Sequence, residues 1–225
     1  VCAANGRTVV VVNSGSVVTS DWAEAAPAVL QAWFGGQEMA DALVDVLVGD
    51  DEPSGRLPTT MPHRLEDTPA FLSYPGENGR VAYSEGLFTG YRWYEARRLP
   101  VAFPFGHGLG YTSFTWGEPS LGEIPSIAEL EAGATVTVTL PVTNDGDRAG
   151  SEVVQCYVAP TDPRLTRPVR ELQGFAKVRL EPGGSADVVV VLDHRAFAYW
   201  DPGDPGHSER SSRVPVAAGQ GSGPR

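Results

Sequence analysis

Two kinds of hydrophobic pattern divide this chain. In roughly the first 60 residues the apolar positions come as one short continuous run followed by helix-spaced stripes; beyond Thr112 they alternate with polar neighbours every second residue. Val9–Val12 lies between Gly6 and Asn13-Ser14-Gly15, and such a bounded, β-branched run predicts a strand buried on both faces of a parallel sheet. The small polar loop after it, Ser14-Gly15-Ser16, stands where α/β proteins tend to place ligand sites. Residues 21–34 are expected to form a helix capped by Ser20 or Asp21, with Pro27 in an early turn and Gly35-Gly36 at its end. A second helix is expected over 37–48, with Met39, Leu43, Val46 and Leu47 as its apolar stripe and Gly49 closing it. Pro53-Ser54-Gly55 then reads as a turn, and 56–61 as a short strand.

The later pattern differs. Thr135–Thr143 (TVTVTLPVT) alternates strictly, the signature of a half-buried antiparallel strand. Residues 152–159, 172–180 and 186–192 repeat the theme, separated by Asn144-Asp145-Gly146-Asp147 and Glu181-Pro182-Gly183-Gly184, which read as hairpin turns. Phe197–Trp200 reads as a last short aromatic strand. Strands at this spacing predict an immunoglobulin-like or fibronectin-III-like sandwich. Residues 202–225 are rich in Gly, Pro, Ser and Arg and are expected to be disordered, which leaves the sandwich with an open edge.

Between the two regimes lies Tyr83–Phe114, YSEGLFTGYRWYEARRLPVAFPFGHGLGYTSF, with nine aromatic residues among glycines and prolines. Aromatics bring buried area and glycines allow close backbone approach, so an irregular packed junction is expected here rather than a helix. This string resembles the segment of family 3 glycoside hydrolases that leads from their α/β sandwich domain into a fibronectin-III-like domain. TVVVVNSGSVV (Thr8–Val18), LQAWFGGQEMADALVDVLVGDDEPSGRLPTTMP (Leu30–Pro62) and RPVRELQGFAKVRLEPGGS (Arg167–Ser185) are similar to the same family in the same order. The resemblance implies a partial α/β sandwich domain over 1–82, a junction over 83–114, the fibronectin-III-like (immunoglobulin-like) β-sandwich over 115–201 and the tail over 202–225. It further implies the C-terminal portion of a β-glucosidase-like enzyme acting on terminal β-linked glucose or xylose. A chain opening on Val1 is read as a fragment. The other reading of the residues is a standalone β-sandwich module that binds a glycan or a protein.

Composition narrows the partners. The chain has 225 residues, 41% hydrophobic and 20% charged, as in ordinary globular proteins. Its net charge of -11 argues against nucleic-acid binding, which needs a basic face. No apolar run approaches the ~20 residues of a membrane span. The two cysteines, Cys2 and Cys156, exclude a disulfide scaffold, and Cys156 is expected to be a buried thiol.

Glycosidases of the resembled family need a nucleophilic and an acid/base carboxylate, about 5 Å apart for retention. On the family's pattern both precede this chain, so no catalytic residue is assigned within it. Thr19-Ser20-Asp21-Trp22 is similar to the family's nucleophile motif, but its place after the NSGSVV loop makes Asp21 a helix cap instead. Glu38 is expected at a helix start, where the dipole favours it. Glu85, the junction carboxylate next to Gly86, is the candidate sugar contact, with an ion pair to Arg92 as the competing role. His107 is read as a core residue. His63, His194 and His207 are scattered, and neither metal nor cofactor is implied. Trp33, Trp93, Trp116 and Trp200 are read as core or interface residues, with a sugar-stacking surface as the second reading.

Overall fold

The computed structural model describes residues 1–203 and the backbone of Val216–Gly219. Backbone contacts divide the chain into two compact units, Val1–Gly108 and a second beginning at Leu109.

The first unit mixes helix and strand. β1 (Val9–Val12) pairs in parallel with β2 (Ala28–Gln31), Val9 opposite Ala28 and Val12 opposite Gln31. β2 stands where a helix is expected. Pro27 is the reason: it lacks an N–H and drives its predecessor out of the helical region, and Ala26 is extended at φ -97°, ψ 126°. Only a 3-10 turn, Asp21–Ala25, precedes it, with Ser20 rather than Asp21 at the cap position and no side-chain cap. The valine run is a parallel strand as expected, yet it is not buried on both faces, since Val9 and Val11 are 52% and 37% exposed. A two-stranded sheet offers nothing to cover its outer side.

α1 (Met39–Val48) closes on Gly49, whose φ of 87° takes the left-handed cap that lets its N–H reach the Asp45 and Val46 carbonyls. Met39, Leu43 and Val46 are half-buried, but the helix buries no residue fully and Leu47 is exposed. β3 (Met61–Pro62) meets β4 (Val101–Phe103) antiparallel. Between them the aromatic stretch holds α2 (Tyr91–Arg97), a helix the irregular reading does not anticipate. Tyr91 and Tyr94, three apart, give it one buried face, and Arg98 ends it at φ 53°.

The second unit is a two-sheet sandwich. β5 (Phe114–Trp116), β6 (Ser120–Leu121), α3 (Ile127–Glu131), β7 (Val136–Asn144), β8 (Gly150–Val158), β9 (Glu171–Leu180), β10 (Ser185–Leu192) and β11 (Val216–Gly219) follow in order. One sheet runs β10-β7-β5 with β6 also on β7; the other runs β11-β8-β9. The turns at 144–147 and 181–184 therefore carry the chain from one sheet to the other instead of closing hairpins. Pro141 lies at a solvent-facing position of β7, and the edge partner is interrupted there: β5 pairs with 142–144 and β6 with 138–139. Val136, Val138, Leu140 and Val142 from β7 meet Val154 and Cys156 from β8 and Val188, Val190 and Leu192 from β10 in the core. α3 opens on a capping box in which Ser126 and Glu129 each bond the other's backbone N–H.

Two expectations at the C-terminal end are corrected. Residues 197–200 form no strand; Phe197 instead ends the 3-10 turn His194–Ala196 and packs into the core. Val216–Gly219, placed in the disordered tail, pairs antiparallel with β8 from Val158 to Gln155. The unpaired edge of β8 offers backbone donors and acceptors to any extended segment, so so short a stretch suffices. Of the rest of the expected disordered tail, Pro202 and Gly203 form a turn in which Gly203 N–H donates to Asp201 Oδ1 at 2.9 Å, while 204–215 and 220–225, with His207, lie outside the described residues.

Candidate functional site

The chemistry-bearing side chains of the first unit gather on the segment from Arg64 to His107. Asp67 is the buried carboxylate at its start: the Arg64 guanidinium donates to both its oxygens, at 3.1 and 2.6 Å, while its backbone carbonyl accepts from Trp93 Nε1–H at 2.8 Å. The Arg64 hydrogen bonds hold the Asp67 carboxyl below the usual range, against the opposing effect of its own desolvation. Arg97 lies over the Trp93 ring at 4.7 Å. Burial pushes the Tyr94 phenol up to about 12. This phenol therefore stays protonated and serves as packing, not as a base.

The glycine-rich end is equally pinned. The Tyr91 and Phe105 rings are 4.9 Å apart, and Phe103 and His107 5.3 Å. The His107 carbonyl accepts from Leu57 N–H, and Gly106 N–H returns a bond to the Leu57 carbonyl, both at 2.8 Å. Burial, with Arg56 nearby, lowers the His107 pKa, so the ring is neutral near pH 7. It sits in packed structure, as expected, with its ring against Phe103.

Between these anchors a narrow loop projects. Ser73 and Ser84 bring their hydroxyls to 3.1 Å at its base. Glu77 and Arg80 exchange backbone hydrogen bonds of 3.0 Å at its tip, around Asn78-Gly79 at φ 51° and 71°. Glu85 follows the base, half-buried, its carbonyl accepting from Phe88 N–H at 3.0 Å. The Arg92 guanidinium lies 5.9 Å from the Tyr91 ring centroid.

The remaining candidates are dispersed. Asp21 is exposed on the 3-10 turn beside buried Ser20, whose N–H donates to the Pro62 carbonyl at 3.1 Å. Glu38 occupies the cap position of α1 without a side-chain cap bond. Trp33 is half-buried at φ 55°, Trp116 packs against the second unit's core, and Trp200 is exposed. Cys156 is a buried thiol, pushed up to about 11 by burial. Among the described residues no group of three His, Cys, Asp or Glu side chains is placed to hold a metal, and no helix is long and apolar enough to cross a membrane. The sequence reading misses the Asp67 cluster, whose bond from Trp93 spans 26 positions, and the Ser73–Ser84 contact, which spans 11.

Residues 1–111 match the family described as glycosyl hydrolase family 3 C-terminal domain, and residues 152–219 match the fibronectin type III-like domain. A probable β-glucosidase I of Aspergillus clavatus is 49% identical over 199 residues, covering 88% of this chain and 24% of that protein. A β-glucosidase of Rhizobium radiobacter is 48% identical over 202 residues, again 88% and 24%. Among solved structures, the β-glucosidase of Kluyveromyces marxianus in complex with glucose superposes with a TM-score of 0.87 at 41% identity, over 98% of this chain and 26% of that one. The chain thus spans about a quarter of the length of these relatives.

Proposed function

The chain belongs to the family 3 glycoside hydrolases, and from that premise we propose that it serves as the C-terminal portion of a β-glucosidase. The parent polypeptide hydrolyses terminal non-reducing β-D-glucosyl, or xylosyl, residues. The carrying observation is that both matched domains occur in the family's order within one chain whose relatives are β-glucosidases over almost nine-tenths of its length. That breadth of likeness disfavours the standalone module.

The reaction needs two carboxylates flanking the glycosidic bond, about 5 Å apart, one attacking the anomeric carbon while the other protonates the leaving oxygen and then activates water. Neither role is given to a residue of this chain. Asp21 is exposed, Glu38 lies on a helix end and Asp67 is engaged by Arg64. The first unit contributes part of the α/β layer of the parent. Its half-covered sheet and its pinned aromatic segment support that assignment, since parallel strands ordinarily have both faces covered. Glu85 contacts the sugar from this layer. The partner is a β-glucoside; a surface of net charge -11 suits neither nucleic acid nor anionic membrane.

The test compares two purified proteins on an aryl β-glucoside. The 225-residue chain is expected to release no phenol, and the longer gene product to release it with retention at the anomeric carbon. Turnover by the short chain contradicts the assignment. In the longer product Glu85→Gln is expected to raise KM with a smaller change in kcat; unchanged KM removes Glu85 from the site.

A further inference from the structure

We propose that His107 is an acid-sensitive fastener: protonation of its ring loosens the hold of residues 55–57 on residues 106–108, where the chain leaves the first unit. That unit ends at Gly108 and the second begins at Leu109, so this is the last anchored stretch before the boundary. Two backbone bonds of 2.8 Å make the anchorage, Leu57 N–H to the His107 carbonyl and Gly106 N–H to the Leu57 carbonyl. Gly106 turns the chain at φ 80°, and a Cβ on Gly108 would come within 2.4 Å of the Gly55 carbonyl oxygen. The two segments are in direct backbone contact. Just upstream, Phe105 N–H donates to Thr60 Oγ1 at 3.2 Å and the Phe105 ring meets Tyr91, so loosening stops there.

The His107 ring lies beside this contact, its centroid 5.3 Å from that of Phe103. Across the contact stands Arg56, whose Nη1 donates to the Gly55 carbonyl at 3.1 Å and lies 3.3 Å from where a Cβ on Gly108 would be. A fixed cation thus neighbours the place where the imidazolium charge forms. The other element against the ring, β4, offers Val101, Ala102 and Phe103, none of which titrates. Charging the ring here costs its hydration and sets it beside a second cation, and opening the anchorage relieves both. Burial first and Arg56 second keep the folded pKa below the ~6.5 of a free imidazole, so the opened form binds the proton more tightly. The fastener is therefore at full strength above about pH 6.5, weakens as pH falls toward the folded value, and loses nothing further below it.

The test combines hydrogen exchange with imidazole NMR on the 225-residue chain from about pH 7.5 to 4.5. After correction for intrinsic rates, protection of the Leu57 and Gly106 amides is expected to fall several-fold below about pH 6.5 and to level off where the His107 ring titrates, while β7 amides keep theirs. His107→Phe is expected to hold both amides equally well across the range. Protection that stays flat, that falls equally in His107→Phe, or that falls together with β7 overturns the proposal, as does a ring titrating at or above about 6.5. Should His107→Phe not fold, Arg56→Gln decides: the ring is expected to titrate at higher pH and the loss of protection to shrink with it. A ring titration that moves while the loss stays the same contradicts the fastener.

Discussion

The two units of this chain bury their apolar residues to very different degrees. In the second, Leu140 and Val142 at 1% and 0% exposure sit among fourteen buried residues drawn from both sheets, a loop helix and a closing turn. In the first, β1 shows alternate valines to solvent, α1 buries nothing fully and Phe34 is 87% exposed. Their apolar patterns are equally strong in sequence. A hydrophobic run records the burial a segment reaches in its complete surroundings, and only the second unit carries those surroundings within itself.

The strongest way to break this contrast is to separate the units. Residues 109–225 alone are expected to unfold cooperatively, whereas 1–108 alone is expected to bind a hydrophobic dye and unfold without a sharp transition. Cooperative melting of both would erase the contrast. Single substitutions sharpen it. Leu140→Ala should cost about 2–5 kcal/mol in urea denaturation followed by a probe in the second unit. Val11→Ala, on the exposed side of β1, should cost under about 1 kcal/mol.

A smaller effect separates the local order of the first unit from its missing core. The Asp67 carboxyl is held low by Arg64, so its contribution is present above the ordinary carboxylate pKa of about 4 and lost as pH falls through the lower folded value. Arg64→Ala should move the Asp67 titration, followed by carboxyl NMR, upward. An unmoved titration places the cause elsewhere. The smallest effect belongs to Trp116→Phe. The buried Trp116 Nε1–H has no hydrogen-bond partner among the described residues, so the change should fall within about 0.5 kcal/mol of neutral in thermal melts.

The same contrast explains what could be read in advance. β7 and β10 were legible because each alternation is realised within the chain: Val136, Val138, Leu140 and Val142 face inward while Thr137 and Thr139 do not. Residues 28–31 read as helix because AVLQ is ambiguous by period, and only pairing with β1 decides it. The turns at 144–147 and 181–184 announced reversals without naming the sheet that receives the next strand. The Ser126–Glu129 capping box was a signal in plain view inside a loop with no other pattern. The left-handed closure at Gly49 was visible on α1, and in the candidate site so was the aromatic density from Tyr83 to Phe114. The Trp93–Asp67 bond spans 26 positions and leaves no local trace.

Native-state hydrogen exchange on the whole 225-residue chain tests the difference between the units most directly. Amides of β7, β8 and β10 are expected to exchange only through global unfolding, and those of β1, β2 and α1 by local opening at far lower free energy. Uniformly slow exchange across both units would contradict the account.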